Sequence, residues 1–267
     1  MNPPLALEYL TFLGLAPAAF VRIAAAAGFD LVGIRVAPAD PDERLPDLAV
    51  GGPSFRELAS VLRDTGVSVL DIEVIRIEEA TVPDDYLRAL EVGASLGATY
   101  ANVVADDAND DRLAETLAKL VERSHEFGIV PALEPMAWKS VSTLAAADSL
   151  AERSGISVQL DSLHLFRCGD STADVDRLDP AHISYLQLSD APANPAKSDP
   201  LSLRREGRCS RLLPGEGELD LAGLLEVLPA DITIAAEIPS QRMRQQFGDE
   251  EYARRILGAT RRVLEAR

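Results

Sequence analysis

Five times in the first 155 residues, a helix-forming run with apolar periodicity stops at a glycine and a β-branched stretch begins at once. The stops are Gly28, Gly66, Gly97, Gly128 and Gly155. Glycine just past a helix adopts the left-handed backbone that turns the chain out of its last turn without a Cβ penalty. The segment after each stop is short and mostly apolar, the pattern of a strand covered by helices on both faces. A chain that alternates strand and helix this way has few options. Its consecutive strands run parallel, and the helices are their crossovers.

Extended to the whole chain, the reading predicts strands over 5–10, 31–36, 67–75, 101–104, 129–133, 156–160, 183–188 and 232–236. Helices are predicted over 17–27, 55–65, 84–96, 111–127, 141–154, 173–178, 219–228 and 250–265. Eight strands and eight helices in roughly 250 residues make a single (β/α)8 TIM barrel of the α/β class, one domain over 1–267. An open doubly wound sheet is the alternative, but no Gly-x-Gly-x-x-Gly follows the first strand. The one long irregular excursion is 191–214, with Pro192, Pro195 and Pro200 before Leu201 and Arg204, Arg205, Arg208 and Arg211 after it. A loop of that length over a barrel mouth is expected to be functional or mobile.

Charge narrows the function classes. The net charge of −17 is spread along the chain without a basic stripe, which argues against nucleic acid or anionic membrane as a partner. Two cysteines, Cys168 and Cys209, are too few for a disulfide framework and fit a reducing cytoplasm. No apolar run approaches a membrane span of about 20 residues, and Met1-Asn-Pro-Pro4 lacks the charge and cleavage site of a signal peptide. The expected partner is a small molecule, with self-association left open.

In a barrel, side chains at the carboxyl ends of the strands converge on one mouth. Those ends carry Glu8, Arg35, Asp71 with Glu73, Asn102, Glu134, Asp161 with His164 beyond it, Gln187 with Asp190, and Glu237. Strands five to eight thus present Glu, Asp, Gln and Glu in succession. Three carboxylates brought together without a cation would repel one another, and such an oxygen-rich set suits a divalent ion. The competing reading has each side chain paired with a local Arg or capping a helix. Of the other candidates, His125 and His182 read as structural, and Trp138 as either a stacking face for substrate or lid packing. Glu73 and Arg211 are candidate substrate contacts, Arg211 by reaching over the mouth to a hydroxyl or anion.

The segments Leu133-Glu-Pro-Met136, Leu160-Asp-Ser-Leu-His164, Tyr185-Leu-Gln-Leu-Ser-Asp190, Pro214-Gly-Glu-Gly217 and Ala236-Glu-Ile-Pro239 resemble the xylose isomerase-like (sugar phosphate isomerase/epimerase) TIM barrels. The resemblance covers nearly the whole chain. It implies metal ligands at Glu134, Asp161, Gln187 and Glu237, catalytic roles for Glu134 and Glu237, and a substrate-contacting or acid–base role for His164. The implied cofactor is one divalent ion, Mn²⁺ or Mg²⁺, with Co²⁺ or Zn²⁺ as alternatives. One departure stands out. Epimerases of the family usually carry His where this chain has Gln187, and Gln there is closer to the 3-dehydroshikimate dehydratase branch.

The resulting expectation is a metal-dependent isomerase or epimerase of a sugar-like polyhydroxy-ketone, working by proton abstraction next to a polarised carbonyl. The alternative is a lyase that removes water from a cyclic β-hydroxy-ketone, 3-dehydroshikimate- or inosose-like, with His164 as acid for the leaving hydroxyl. A DNA-repair endonuclease of the same superfamily is disfavoured by the charge and by a total of three histidines.

Overall fold

A computed structural model describes residues 4–40 and 42–267; most of the Met1-Asn-Pro-Pro4 stretch lies outside them. The chain forms a closed barrel in which each strand pairs in parallel with the next and β1 pairs with β8. The strands are β1 (Leu5–Leu7), β2 (Leu31–Arg35), β3 (Ser68–Glu78), β4 (Tyr100–Asp106), β5 (Val130–Leu133), β6 (Ser157–Asp161), β7 (Ile183–Leu188) and β8 (Ile234–Ala236). Helices α1 (Pro17–Ala27), α2 (Pro53–Thr65), α3 (Leu87–Leu96), α4 (Asp110–Glu126) and α5 (Leu144–Ser154) follow the first five strands. After β6 come α6 (Ser162–Cys168) and α7 (Thr172–Val175), and after β7 come α8 (Pro200–Cys209) and α9 (Leu221–Val227). Helices α10 (Gln241–Phe247) and α11 (Asp249–Glu265) close the chain.

The five glycine stops all have positive φ, between 70° and 98°, as the punctuation required. The main apolar core lies between the outer face of the sheet and the helices, with Phe20, Leu58, Leu117, Leu224 and Ile256 fully buried. Inside the barrel only a thin apolar plug remains, formed by Ala6, Leu70, Ala132, Tyr185 and Ala235. Above it the interior is polar. Glu8, Asp71, Asn102 and Gln159 are all buried there, and a Cβ on Gly33 would collide with Glu8 and Asp71. Gly33 is the one strand residue small enough to let those two carboxyls in.

Several boundaries differ from the sequence reading, each for a local reason. The first strand stops at Leu7, and Tyr9–Phe12 turns into a 3-10 helix beneath the mouth. The helix expected from 141 begins at Leu144, because Thr143 Oγ1 accepts from Ala146 N at 3.2 Å and caps it there. The largest correction concerns 191–214, which is not a continuous irregular loop. Its centre is α8, started by Asp199, whose Oδ1 accepts from Ser202 N at 3.0 Å, with Pro200 in the first turn.

Candidate active site

The site is assembled from strand ends and from α8. Glu134 leaves β5 with its N–H donated to Val103 O at 2.8 Å, which keeps it in the line of the sheet. Asp161 ends β6 and caps α6, its Oδ1 accepting from His164 N at 3.0 Å. That single hydrogen bond explains why His164 stands three residues after Asp161: it occupies the first turn of the helix the aspartate starts. Gln187 lies in β7, paired in register with Asp161 on one side and Ala235 on the other. Glu237 follows β8 and donates its N–H to Leu188 O at 3.3 Å.

The ligand atoms of Glu134, Asp161 and His164 lie within 4.8 Å of one another. Glu237 is not in that group, because a guanidinium stands between it and Asp161. Arg211 is 1% exposed and makes two short ion pairs, Nη1 to Asp161 Oδ2 and Nη2 to Glu237 Oε2, both at 2.6 Å. Its Nε donates to Gly207 O at 2.7 Å, and Nη1 also reaches Ser189 Oγ at 3.2 Å. The expected loop arginine is thus a buried strut fixed from α8 to two of the carboxylates. A bidentate fork of this kind is geometry that Lys could not supply.

The cavity at the mouth has a volume of about 430 Å³. Glu134, His164, Gln187, Glu237, Arg211, Glu73 and Trp138 all line it, whereas Asp161 is sealed behind the others. Trp138 meets His164 edge to face with ring centroids 4.8 Å apart. Both pack under α8 at Gly207, where a Cβ would come within 3.1 Å of Trp138 and 3.3 Å of His164. Helix α8 is held down by ion pairs of Arg204 and Arg208 to Asp40, and of Arg167 to Glu206. Glu73 faces the cavity with both oxygens engaged, Oε2 by Arg35 at 2.6 Å and Oε1 by Tyr9 N at 3.1 Å.

Burial drives the electrostatics. Glu134 is pushed well above the usual carboxylate range by burial, then by Asp161 and Glu237. Glu237 is also raised, again by burial first, with Arg211 opposing. Burial works to raise Asp161 as well, but Arg211 and then His164 hold it below its ordinary value. Burial lowers His164 to about 4, so the imidazole is neutral near pH 7 and carries its proton as a neutral donor. His164 Nδ1 is buried with no hydrogen-bond partner, and its Nε2 lies 3.6 Å from Glu134 Oε1.

Asn102, one of the strand-end residues, and two residues that the sequence analysis did not single out, Gln159 and Tyr185, matter to the site. Asn102 in β4 donates Nδ2 to Glu134 Oε2 at 2.9 Å, and the same nitrogen meets Gln159 Oε1. Gln159 in turn faces the Tyr185 hydroxyl at 2.7 Å. Their signal was present in the sequence: Gln159 and Tyr185 are hydrogen-bonding side chains inside otherwise apolar strands, which are unexpected unless something in the barrel interior answers them. The remaining histidines are elsewhere. His182 pairs with Asp148 at 2.7 Å, and His125 is exposed near the end of α4.

A closed parallel barrel whose carboxyl mouth gathers carboxylates, an amide and an imidazole around one cavity is an α/β barrel built like an enzyme. The chain belongs to the xylose isomerase-like TIM barrel family, whose model matches residues 21–262. It is 28% identical over 217 residues to a 3-dehydroshikimate dehydratase of Pseudomonas putida, the match covering 75% of this chain and 32% of that protein. The chain therefore spans about a third of that relative's length. Among solved structures it is similar to a xylose isomerase-like TIM barrel/4-hydroxyphenylpyruvate dioxygenase fusion protein (TM-score 0.78, 22% identity, 97% of this chain and 42% of that one). It is also similar to the IOLI protein with a bound zinc atom (TM-score 0.78, 17% identity, 98% of each chain). D-psicose 3-epimerase of Clostridium cellulolyticum has a TM-score of 0.74 at 14% identity, over 98% of this chain and 99% of that one. These structural likenesses concern the fold. The named relatives include enzymes that act on small polyhydroxylated molecules, and no described helix is long and apolar enough to cross a membrane.

Proposed function

We propose that the chain is a divalent-metal-dependent enzyme that removes a proton next to the carbonyl of a cyclic polyhydroxy-ketone and expels a β-hydroxyl as water. One observation carries the metal: Gln187 Oε1 is buried without a hydrogen-bond partner at the cavity wall, on the strand between Asp161 and Glu237. A buried carbonyl oxygen left without a donor costs free energy unless a cation answers it. Glu134, Asp161, Gln187 and Glu237 would hold the ion, and the donor set is all oxygen, as Mg²⁺ and Mn²⁺ prefer. Such an ion would polarise the substrate carbonyl and offset the charge that develops on its oxygen.

The chain's own residues supply the rest. Glu134 is the base: it faces the cavity, one oxygen is fixed by Asn102, and burial raises its proton affinity. The proton that Glu134 takes up returns to the departing hydroxyl by way of His164, whose neutral ring accepts it on one nitrogen as it gives up the proton on the other. Arg211 holds Asp161 and Glu237 apart and aligned. Trp138 and α8 cover the mouth and exclude water. The dehydration reading draws on the dehydratase relative and on the neutral amide at position 187.

A second reading, epimerisation or isomerisation, is favoured by the presence of two carboxylates, Glu134 and Glu237, in one cavity. Each could serve one face of a carbon. Incubation of the Mn²⁺-loaded protein with cyclic and open-chain hydroxy-ketones in D₂O separates the two. Growth of enone absorbance supports dehydration, deuterium retained in an isomerised product supports the second reading, and neither signal with any substrate sinks both.

A further inference from the structure

Below the cavity floor, four hydrogen-bonding contacts join Glu134 to the deep acid Asp71. Asn102 Nδ2 faces Glu134 Oε2 at 2.9 Å and, on its other side, Gln159 Oε1 in a shorter contact. Tyr185 Oη faces that same Gln159 oxygen at 2.7 Å and Asp71 Oδ2 at 2.6 Å. All five residues are buried. Each contact needs one donor and one acceptor, and in a sealed interior water cannot correct a mismatch.

The donors can be counted from either end. Asn102 turns its amide NH₂ to Glu134, whose Oε2 accepts. That same NH₂ faces Gln159, so Gln159 must present its oxygen. Tyr185 then donates to this oxygen and has no second proton to give. Its 2.6 Å contact with Asp71 is satisfied only by a proton on Asp71 Oδ2, donated to the tyrosine oxygen. Reversing both amides gives the opposite solution, with Asp71 ionised and Glu134 protonated. Mixed arrangements leave two acceptors or two donors face to face.

We propose that Asp71 is a carboxylic acid in the working protein, and that its proton sets the direction of the line Asp71–Tyr185–Gln159–Asn102, which aims Glu134 into the cavity. Tyr185, Gln159 and Asn102 are thus positioning residues. The direction of the line rests on how the two amides stand, and only the use made of Glu134 rests on its proposed role as base. An independent observation supports the proton. Glu8, Asp71 and Glu73 crowd within 4.8 Å, Arg35 is the cation paired with Glu73, and Glu8 Oε1, Glu8 Oε2 and Asp71 Oδ1 have no donor. Burial and the Glu73 charge accordingly push Asp71 up to about 7. The cost of this direction is Gln159 Nε2, left buried without an acceptor.

The side-chain NH₂ resonances of the ¹⁵N-labelled, Mg²⁺-loaded full chain test the line. Both Asn102 amide protons should lie downfield and exchange slowly, and the Gln159 pair should show no hydrogen-bond shift. The opposite pattern, with Gln159 NH₂ hydrogen-bonded and Asn102 NH₂ free, overturns the proposal. Tyr185→Phe keeps the ring that packs on Tyr100 at 5.1 Å and breaks the line. It should lower kcat about 10- to 100-fold with KM nearly unchanged, the usual scale for loss of a partner that orients a working side chain. A variant that loses only thermal stability, with kcat per folded protein unchanged, equally overturns it. If the wild-type chain turns over no hydroxy-ketone, the functional reading fails while the amide spectrum still decides the direction of the line.

Discussion

The barrel interior holds two acidic clusters of similar make-up and opposite character. On the side of β5 to β8 stand Glu134, Asp161 and Glu237, of which Asp161 and Glu237 share Arg211 and Glu134 and Glu237 face the cavity. On the side of β1 to β3, Glu8, Asp71 and Glu73 have Arg35, and only Glu73 and Arg35 reach the cavity wall. Both clusters carry more negative charge than their arginine can balance. The difference is access. The first opens on the cavity through Glu134 and Glu237, whereas in the second Glu8 and Asp71 are fully buried away from it, and burial favours their protonated forms. A count of converging carboxylates therefore does not identify a reactive site; an open path to it does.

The largest contrast should appear in turnover. Glu134→Gln is expected to lower kcat by about 10²- to 10⁴-fold, the usual contribution of a positioned base. Glu8→Gln should leave kcat within about threefold of wild type, as Glu8 does not line the cavity and burial already favours its protonated form, which the amide matches in shape. Measuring both rates on the same substrate, with metal content determined, checks the pair. Equal losses would erase the distinction between the clusters.

Removing each arginine sharpens it next. Arg211→Met and Arg35→Met each strand buried carboxylates and should cost about 3–5 kcal/mol of unfolding free energy. Millimolar Mn²⁺ should restore much of the loss in Arg211→Met, because the ion can enter between Asp161 and Glu237, and none of it in Arg35→Met. Urea melts with and without the metal give the answer.

A smaller effect lies in pH dependence. The folded-state pKa of Asp71, about 7, is above its ordinary value, so the folded chain binds that proton more tightly than the unfolded chain does. Its contribution is fully present below about pH 4 and is lost as pH rises towards 7. Asp71→Asn should flatten that part of the stability profile and melt above wild type at pH 8. An unchanged slope would place the shared proton elsewhere. The smallest change is expected at the rim. Asp40→Asn removes the ion pairs of Arg204 and Arg208 and should cost under about 1 kcal/mol, with a modest rise in KM as α8 loosens. Salt titration of KM checks it.

The barrel is legible in the chain's local pattern. Glycine stops and apolar strands are local signals, and a regular strand–helix alternation of that length leaves one closed solution, so the strand order followed from residues a few positions apart. The same pattern says which side chains stand at the strand ends, and so placed Glu134, His164, Gln187 and Glu237 on one cavity. The features it left open depend on residues far apart in the chain. That Arg211 is a buried strut rests on 50 residues of separation from Asp161, and the helix just before it was obscured by Pro200 and its arginines. That Glu73 is occupied by Arg35 and Tyr9 needed the closed barrel, and so did the contact of Tyr185 with Asp71 across 114 residues. A strand's pattern says which way a side chain points; only closure of the sheet decides what it meets, and in a dry interior that partner decides its charge.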